Sequence, residues 1–325
     1  MQKISRRHLL QVGAALSVPG TGFAQAQQWP TRPVRLIVPY AAGGPLDTLA
    51  RLIGDKWSTL VRQPMIIENK PGAASIIGVN TLATSPADGQ TLMVDGGAAL
   101  TTLPSVANLP FNPEKDIAGV GAIAQSPTIL VARADLPANN LKELVARAKA
   151  SPGALTVGLS APGTLRHFVM ALLKQDANIE MLDVPYKGSA PAMQALLSGE
   201  VDLVAADLSA VLPNLKSGRL KCLATLSTQR IPEIPEIPTS VEQGFPKLIA
   251  MNYYGLFAPG GMNAQLVERI GLSLIQVVMH PDVVNRMKTM NMSPAPMRPS
   301  TYQALLRSER EKWSPIGKAT GTRIN

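Results

Sequence analysis

Short apolar runs alternate with stretches of helical period along most of the chain. Val34-Arg35-Leu36-Ile37-Val38 has the length and β-branched content of a buried strand, and Leu46, Leu49, Ala50, Ile53 and Trp57 then repeat at helical spacing. Met65 to Glu68 reads as the next strand, Ile76 to Thr84 as a small-residue helix after Pro71-Gly72, and Thr91 to Val94 as a third strand. Strand and helix in strict alternation imply right-handed crossovers and a largely parallel sheet. The alternation restarts with a strand at Thr128 to Ala132 and a helix at Leu141 to Ala150, stopped by Ser151-Pro152-Gly153. A strand at Leu155 to Gly158, a helix at Leu165 to Leu173, a strand at Met181 to Val184, a helix at Ala190 to Ser198 and a strand at Val201 to Ala205 complete the second unit. Beyond the Ile-Pro tract at 231–238, a strand at Asn252 to Ala258 precedes helices at Ala264 to Met279 and Thr301 to Trp313. The tract reads as a rigid surface connection whose isoleucines pack down.

The N-terminus breaks this pattern. Met1 to Gln11 is basic and free of acids, Leu9 to Phe23 is apolar or small, and Ala24-Gln25-Ala26 has the form of an A-x-A cleavage site. That order is a signal peptide's, so residues 1–26 are set outside the fold, and a periplasmic location is expected. Ser5-Arg6-Arg7-His8-Leu9-Leu10 has the form of a twin-arginine export signal, with ordinary secretion as the alternative. No later stretch approaches the ~18 consecutive apolar residues of a membrane span. With 325 residues, 46% of them hydrophobic, the chain is long enough for two lobes. The expected division places 27–125 with 250–325 in one lobe and 126–249 in the other, joined by crossings near 126 and 250.

The formal charge of +9 falls when Lys3, Arg6 and Arg7 leave with the signal. The remaining excess is spread along the chain without basic blocks or interleaved aromatics, which fits attraction of small anions better than nucleic-acid binding, and no nucleic-acid partner is expected. A single cysteine, Cys222, rules out an intramolecular disulfide framework. It sits in the strand-like run Leu220 to Leu226, where a small core residue is the expected role.

Two loops echo each other. Val38-Pro39-Tyr40-Ala41-Ala42-Gly43-Gly44 and Val184-Pro185-Tyr186-Lys187-Gly188-Ser189 each follow an apolar strand and precede a helix. At such a helix start the first N–H groups lack intrahelical partners and the dipole adds partial positive charge, so a carboxylate can be held without an arginine. Gly158-Leu159-Ser160-Ala161-Pro162-Gly163-Thr164 is a third loop of this kind. Thr164 is placed as an N-cap or ligand donor, with Asp47 and Ser189 as caps of the other two helices. In open α/β sheets ligands sit outside the carboxyl ends of the strands, so the three loops predict a shared cleft. None contains G-x-G-x-x-G or a P-loop, which disfavours nucleotides.

The catalytic inventory is thin. Beyond the signal only His167 and His280 remain, with His280 at a helix end and His167 either donating to a ligand or packing. No nucleophile elbow, H-E-x-x-H helix or Cys/His metal spacing is present, so neither enzyme activity nor a metal or cofactor is expected. Asp202 reads as structural and Asp207, at a strand end, as facing the cleft.

Seven ordered segments carry a resemblance across the mature chain: Pro33 to Arg51 around VPYAAGG, Glu68 to Ala73, Pro86 to Leu92, Leu109 to Pro113, Val184 to Gly188, Gly199 to Asp202 and Pro235 to Gly244. Together they resemble the Bug family, the substrate-binding proteins of tripartite tricarboxylate transporters. The resemblance implies a type II periplasmic-binding-protein fold and a small organic carboxylate held partly through water by the VPYAAGG loop. It also implies membrane transporter subunits as partners. Ligand contacts would fall at Tyr40, Ala42, Gly43, Gly44 and Asp47, at Ser160, Gly163, Thr164 and His167, and in the second loop at Tyr186, Lys187, Gly188 and Ser189, with Asp207. Ala161-Pro162 and Asp95-Gly96-Gly97-Ala98 depart from the family pattern and leave the ligand's identity open. A monomer is expected. A sensor-kinase partner is the alternative to a transporter, and a periplasmic hydrolase a more distant one.

Overall fold

The computed structural model describes residues 29–186 and 188–324. The first unit runs β1 (Val34–Val38), α1 (Pro45–Val61), β2 (Met65–Asn69), α2 (Ile76–Ala83), β3 (Thr91–Asp95) and a short α3 (Ala98–Thr101). A long strand, β4 (Ile117–Arg133), and α4 (Leu141–Ala150) lead to the second unit: β5 (Thr156–Leu159), α5 (Leu165–Ala177), β6 (Leu182–Pro185), α6 (Ser189–Ser198) and β7 (Leu203–Asp207). Then come α7 (Leu208–Lys216), β8 (Leu220–Thr225), β9 (Met251–Pro259), α8 (Ala264–Val278), α9 (Pro281–Thr289), β10 (Ser293–Pro294) and α10 (Pro299–Ala319).

The apolar patterns act as read. In β1 only Arg35 is exposed, tied to Glu68 on β2 at 2.6 Å, while Leu46, Leu49, Ala50, Ile53 and Trp57 of α1 are buried on one face. Helix α4 opens with Asn140 accepting from the Glu143 N–H at 2.9 Å while Glu143 reaches back to the Asn139 N–H at 2.7 Å, a reciprocal cap. The Ile-Pro tract packs down through buried Ile231 and Ile234.

Strand order is β2-β1-β3-β9-β4-β7-β5-β6. Each end is a parallel unit, β2-β1-β3 and β6-β5-β7, and each is joined at its third strand to an antiparallel neighbour, β9 or β4. The sheet is therefore parallel only in its two flanks, whereas the period pattern predicts a largely parallel one. Apolar runs on both faces look alike in either direction, so the long central ladder is invisible to periodicity.

Strand β4 begins well before the expected Thr128. It pairs with β9 from Ile117 to Pro127, then with β7 and β8 from Thr128 onward. Gly119 and Gly121 conceal its first half in the sequence. Both are needed: a Cβ at Gly119 would lie 2.9 Å from Leu306 of α10, and one at Gly121 2.9 Å from the Met297 carbonyl. Helix α10 ties the two flanks together, because Tyr302 lies on Gly255 of β9 while Phe168 of α5 lies against Gly317. One buried cluster accordingly runs from Ile37 and Met93 through Phe257 and Trp313 to Phe168 and Val157.

Candidate functional site

The loop between β1 and α1 exposes Tyr40, Ala41, Ala42 and Gly43 before the helix starts. Gly43 adopts φ +83°, which a side chain rarely takes, and Pro45 opens the helix where no N–H is needed. Gly44, not Asp47, is the N-cap, which corrects the expected role of Asp47. Asp47 is the third helical residue. One carboxylate oxygen accepts from the Gly43 N–H and the Arg51 Nε, both at 2.9 Å, and the other from Asn69 Nδ2 at 2.9 Å. Asn69 also donates to the Tyr40 carbonyl at 3.0 Å, so β2 and α1 clamp the loop from two sides. The Arg51 hydrogen bond leads in holding the Asp47 carboxyl down at about 2. The Gly43 amide is thus engaged within the protein.

The loop between β5 and α5 is built the same way. Gly163 has φ +73°, Thr164 is the N-cap, as expected, accepting from the His167 N–H at 3.4 Å, and His167 is the third helical residue. Its Nδ1 accepts from the Gly163 N–H at 3.2 Å. That ring nitrogen is therefore an acceptor and unprotonated, and burial pushes the His167 pKa below its ordinary value. His167 is buried and holds its own loop. Gly163 packs against the other flank, where a Cβ would meet Ile324 at 2.7 Å and Val106 at 2.9 Å, whereas one at Gly43 would meet nothing within 4 Å.

The third loop departs from expectation. The topological counterpart of β1 is β5, each being the middle strand of its flank, while β6 corresponds to β2. The V-P-Y echo therefore links non-equivalent positions. The Tyr186 and Gly188 N–H groups donate to the Leu159 and Ser160 carbonyls at 2.9 and 2.8 Å, and the Tyr186 hydroxyl donates to Glu200 at 2.7 Å. Ser189 does not cap α6; Gly188 holds that position at φ +120° without a side-chain bond. Lys187 lies outside the described residues, as does the expected signal peptide.

Between the two helix starts the structure gathers a polar group in which the expected Tyr40 and Asp207 are joined by Asp95, Arg166 and Asn252, none of which the sequence reading places in the site. Asp95 ends β3 and Asp207 ends β7, equivalent positions in the two flanks. Asp95 is fully buried, accepts from the Gly97 N–H at 3.0 Å and faces the Tyr40 hydroxyl. Burial pushes its carboxyl pKa up, and the Asp95 charge raises the Tyr40 phenol. Asp207 pairs with Arg166, in the first turn of α5, and accepts from Asn252 Nδ2 on β9. The β4 register explains the second bond: Thr128 is opposite Asp207 and Ser126 opposite Asn252, so both partners flank the point where β4 changes neighbours. Tyr40 and Tyr254 lie within electrostatic reach of Arg166. Ser75, Ser126, Thr128 and Ser160 have buried hydroxyls without a hydrogen-bond partner, as do Asp95 Oδ1 and Arg166 Nε. Asp202, by contrast, is structural as expected, bonded to Arg133 at 2.8 Å and the Thr156 N–H at 2.8 Å.

Arg166 offered no signal beyond its place between the capping Thr164 and His167. Asp207 is an expected cleft residue because it ends its strand, and the same reasoning reaches Asp95, since each closes the third strand of its unit. A cavity of about 690 Å³ opens elsewhere, between α5 and α10, lined by Leu172, Gln175, Lys247, Ile249 and Lys312, and contains none of the expected site residues. Among the described residues no cluster of three His, Cys, Asp or Glu side chains could hold a metal, and no helix is long and apolar enough to cross a membrane.

Two βαβαβ flanks sharing long antiparallel strands, each opening a helix toward one polar group, define a solute-binding protein of the periplasmic type rather than an enzyme. The chain belongs to the tripartite tricarboxylate transporter family receptor group, TctC, whose family model matches residues 49–322. It is 31% identical over 312 residues, 96% of this chain and 93% of the relative, to a UPF0065 protein from the tcbD-tcbE intergenic region of Pseudomonas sp. strain P51. BugT of Bordetella pertussis is 29% identical, with 98% of each chain covered. Among solved structures, an R. palustris protein with adipate superposes with a TM-score of 0.78 at 30% identity, covering 90% of this chain and 98% of that one. MatC from Rhodopseudomonas palustris with bound malate gives 0.74 at 30% identity, covering 89% and 99%.

Proposed function

We propose that this protein captures a small organic carboxylate between its two flanks in the periplasm and delivers it to the membrane subunits of a tripartite tricarboxylate-type transporter. The observation that carries this reading is the matched pair of helix starts, α1 and α5, on equivalent strands and facing the group of Tyr40, Asp95, Arg166 and Asp207. Such helix starts supply backbone donors and partial positive charge to an anion. The solved relatives with adipate and malate support the ligand class, and the family's transporter supports the partner. Residues 27–125 with 250–325 form one lobe and 126–249 the other in this reading. A ligand touching both lobes favours the closed arrangement by its differential affinity.

A thermal-shift screen of organic acids tests the proposal. A true ligand at 100 times its dissociation constant adds about 2.7 kcal/mol of stability. A panel of mono-, di- and tricarboxylates that leaves the melting temperature of the mature protein unmoved would overturn it. Co-purification with the transporter's membrane subunits, against a sensor kinase as the competing partner, tests delivery separately.

A further inference from the structure

We propose that the cavity between α5 and α10 is a second binding site, separate from the cleft, for an amphipathic anion that carries a single negative head on an apolar chain, such as a medium-chain alkanoate.

The cavity lies apart from the polar group that joins the two flanks. Leu172, Gln175 and Asp176 line it from one face of α5, at helical spacing. Arg166 belongs to the first turn of the same helix, so Gln175 sits roughly 13 Å further along its axis. Ile249, just ahead of β9, and Lys312 and Ile316 of α10 supply the other walls. At about 690 Å³ the space falls within the roughly 300–1,000 Å³ of small-ligand pockets.

The lining divides into apolar walls and one unmatched charge. Leu172 and Ile316 are buried and Ile249 half-buried, so an alkyl chain laid against them leaves water. Half-buried Lys312 supplies the charge. Its ammonium donates to the Ile249 carbonyl and lies 4.5 Å from the centre of the Trp313 ring. An ammonium has three donors, and among the described residues Lys312 forms no ion pair. Glu309, the acid whose charge acts on it, instead accepts from the Trp313 indole at 2.7 Å. Burial accordingly pulls the Lys312 pKa below its ordinary value, since a cation partly out of water here has no carboxylate beside it. An incoming anion supplies that partner. Lys247, the other cation of the lining, is largely exposed and already faces Asp176 at 3.6 Å. Two lysines and one aspartate leave one net positive charge, which matches one anionic head; a second head would lie unpaired against the apolar walls.

Isothermal titration of the mature protein with octanoate, 1-octanol and octylamine tests the assignment. Wild-type protein is expected to bind octanoate about tenfold or more tighter than 1-octanol, and octylamine no better than the alcohol. Lys312→Met, which keeps the length of the side chain and removes its charge, should weaken octanoate about tenfold, while Lys312→Arg should retain most of the affinity. Gln175→Trp, which fills the cavity from an exposed position, should abolish binding. No binding of octanoate by the wild type, or equal affinity for octanoate and 1-octanol, would overturn the proposal. So would octanoate binding undiminished in Lys312→Met and Gln175→Trp, which would place that ligand in the cleft. Because Gln175 is exposed, its variant decides the question even where Lys312→Met folds poorly. None of these results bears on capture in the cleft, which the thermal-shift screen tests on its own.

Discussion

Asp47 and His167 hold the same position in two different helices and perform the same task with different chemistry. Each is the third residue of the helix that follows the middle strand of its flank, and each accepts the N–H of a left-handed glycine four residues earlier, Gly43 or Gly163. A carboxylate does this in one flank and a neutral imidazole in the other. Each loop is therefore tied from within by its own helix, and the two ties differ in how they respond to acid.

Removing the Asp47 carboxylate should loosen the first loop. Asp47→Ala deletes acceptors for Gly43, Arg51 and Asn69, at a cost of about 1–3 kcal/mol, and should weaken carboxylate affinity about tenfold. Because its folded value is lowered to about 2, its contribution is complete above the ordinary aspartate range and lost as pH falls from there through about 2. Chemical denaturation across that window, with calorimetry at neutral pH, checks both effects.

The second loop should fail at a higher pH. Burial lowers the His167 pKa, so the unfolded chain takes up the proton first, and stability falls as pH drops below the ordinary histidine value of about 6.5. Protonation of Nδ1 also removes the acceptor for the Gly163 N–H. His167→Gln keeps an acceptor and cannot titrate, so its stability should be flatter between pH ~6.5 and ~5 than that of the wild type. Melting curves over this range decide it.

The two glycines should tolerate substitution unequally. Gly43→Ala meets open space and carries only the left-handed penalty of about 1–2 kcal/mol. Gly163→Ala adds a clash with Ile324 and Val106 and should cost about 1–3 kcal/mol more. Denaturant midpoints of the two variants, measured side by side, test the difference.

Cys222 should be silent in the native state. It is buried in β8, and that burial pushes the thiol up to about 12, leaving almost no thiolate at neutral pH. A thiol reagent should label it only at the rate of unfolding. Rapid stoichiometric labelling of folded protein would contradict the placement.

Local chemistry determined much of this protein. The apolar periods placed most strands and helices within a few residues, Thr164 announced its cap, and the ordered segments from Pro33 to Gly244 announced the family. These signals lie in neighbouring residues, so a linear reading captures them. Tertiary structure alone decided that β4 would change partners at Thr128 and so bring Asp207 against Asn252, 45 positions apart. It also decided that α5, rather than the second V-P-Y loop, would match α1, and that Arg166 would pair with Asp207 within electrostatic reach of Tyr40 and Tyr254. Strand order and register set which ends of the chain meet, and neither is written in the period of any single strand.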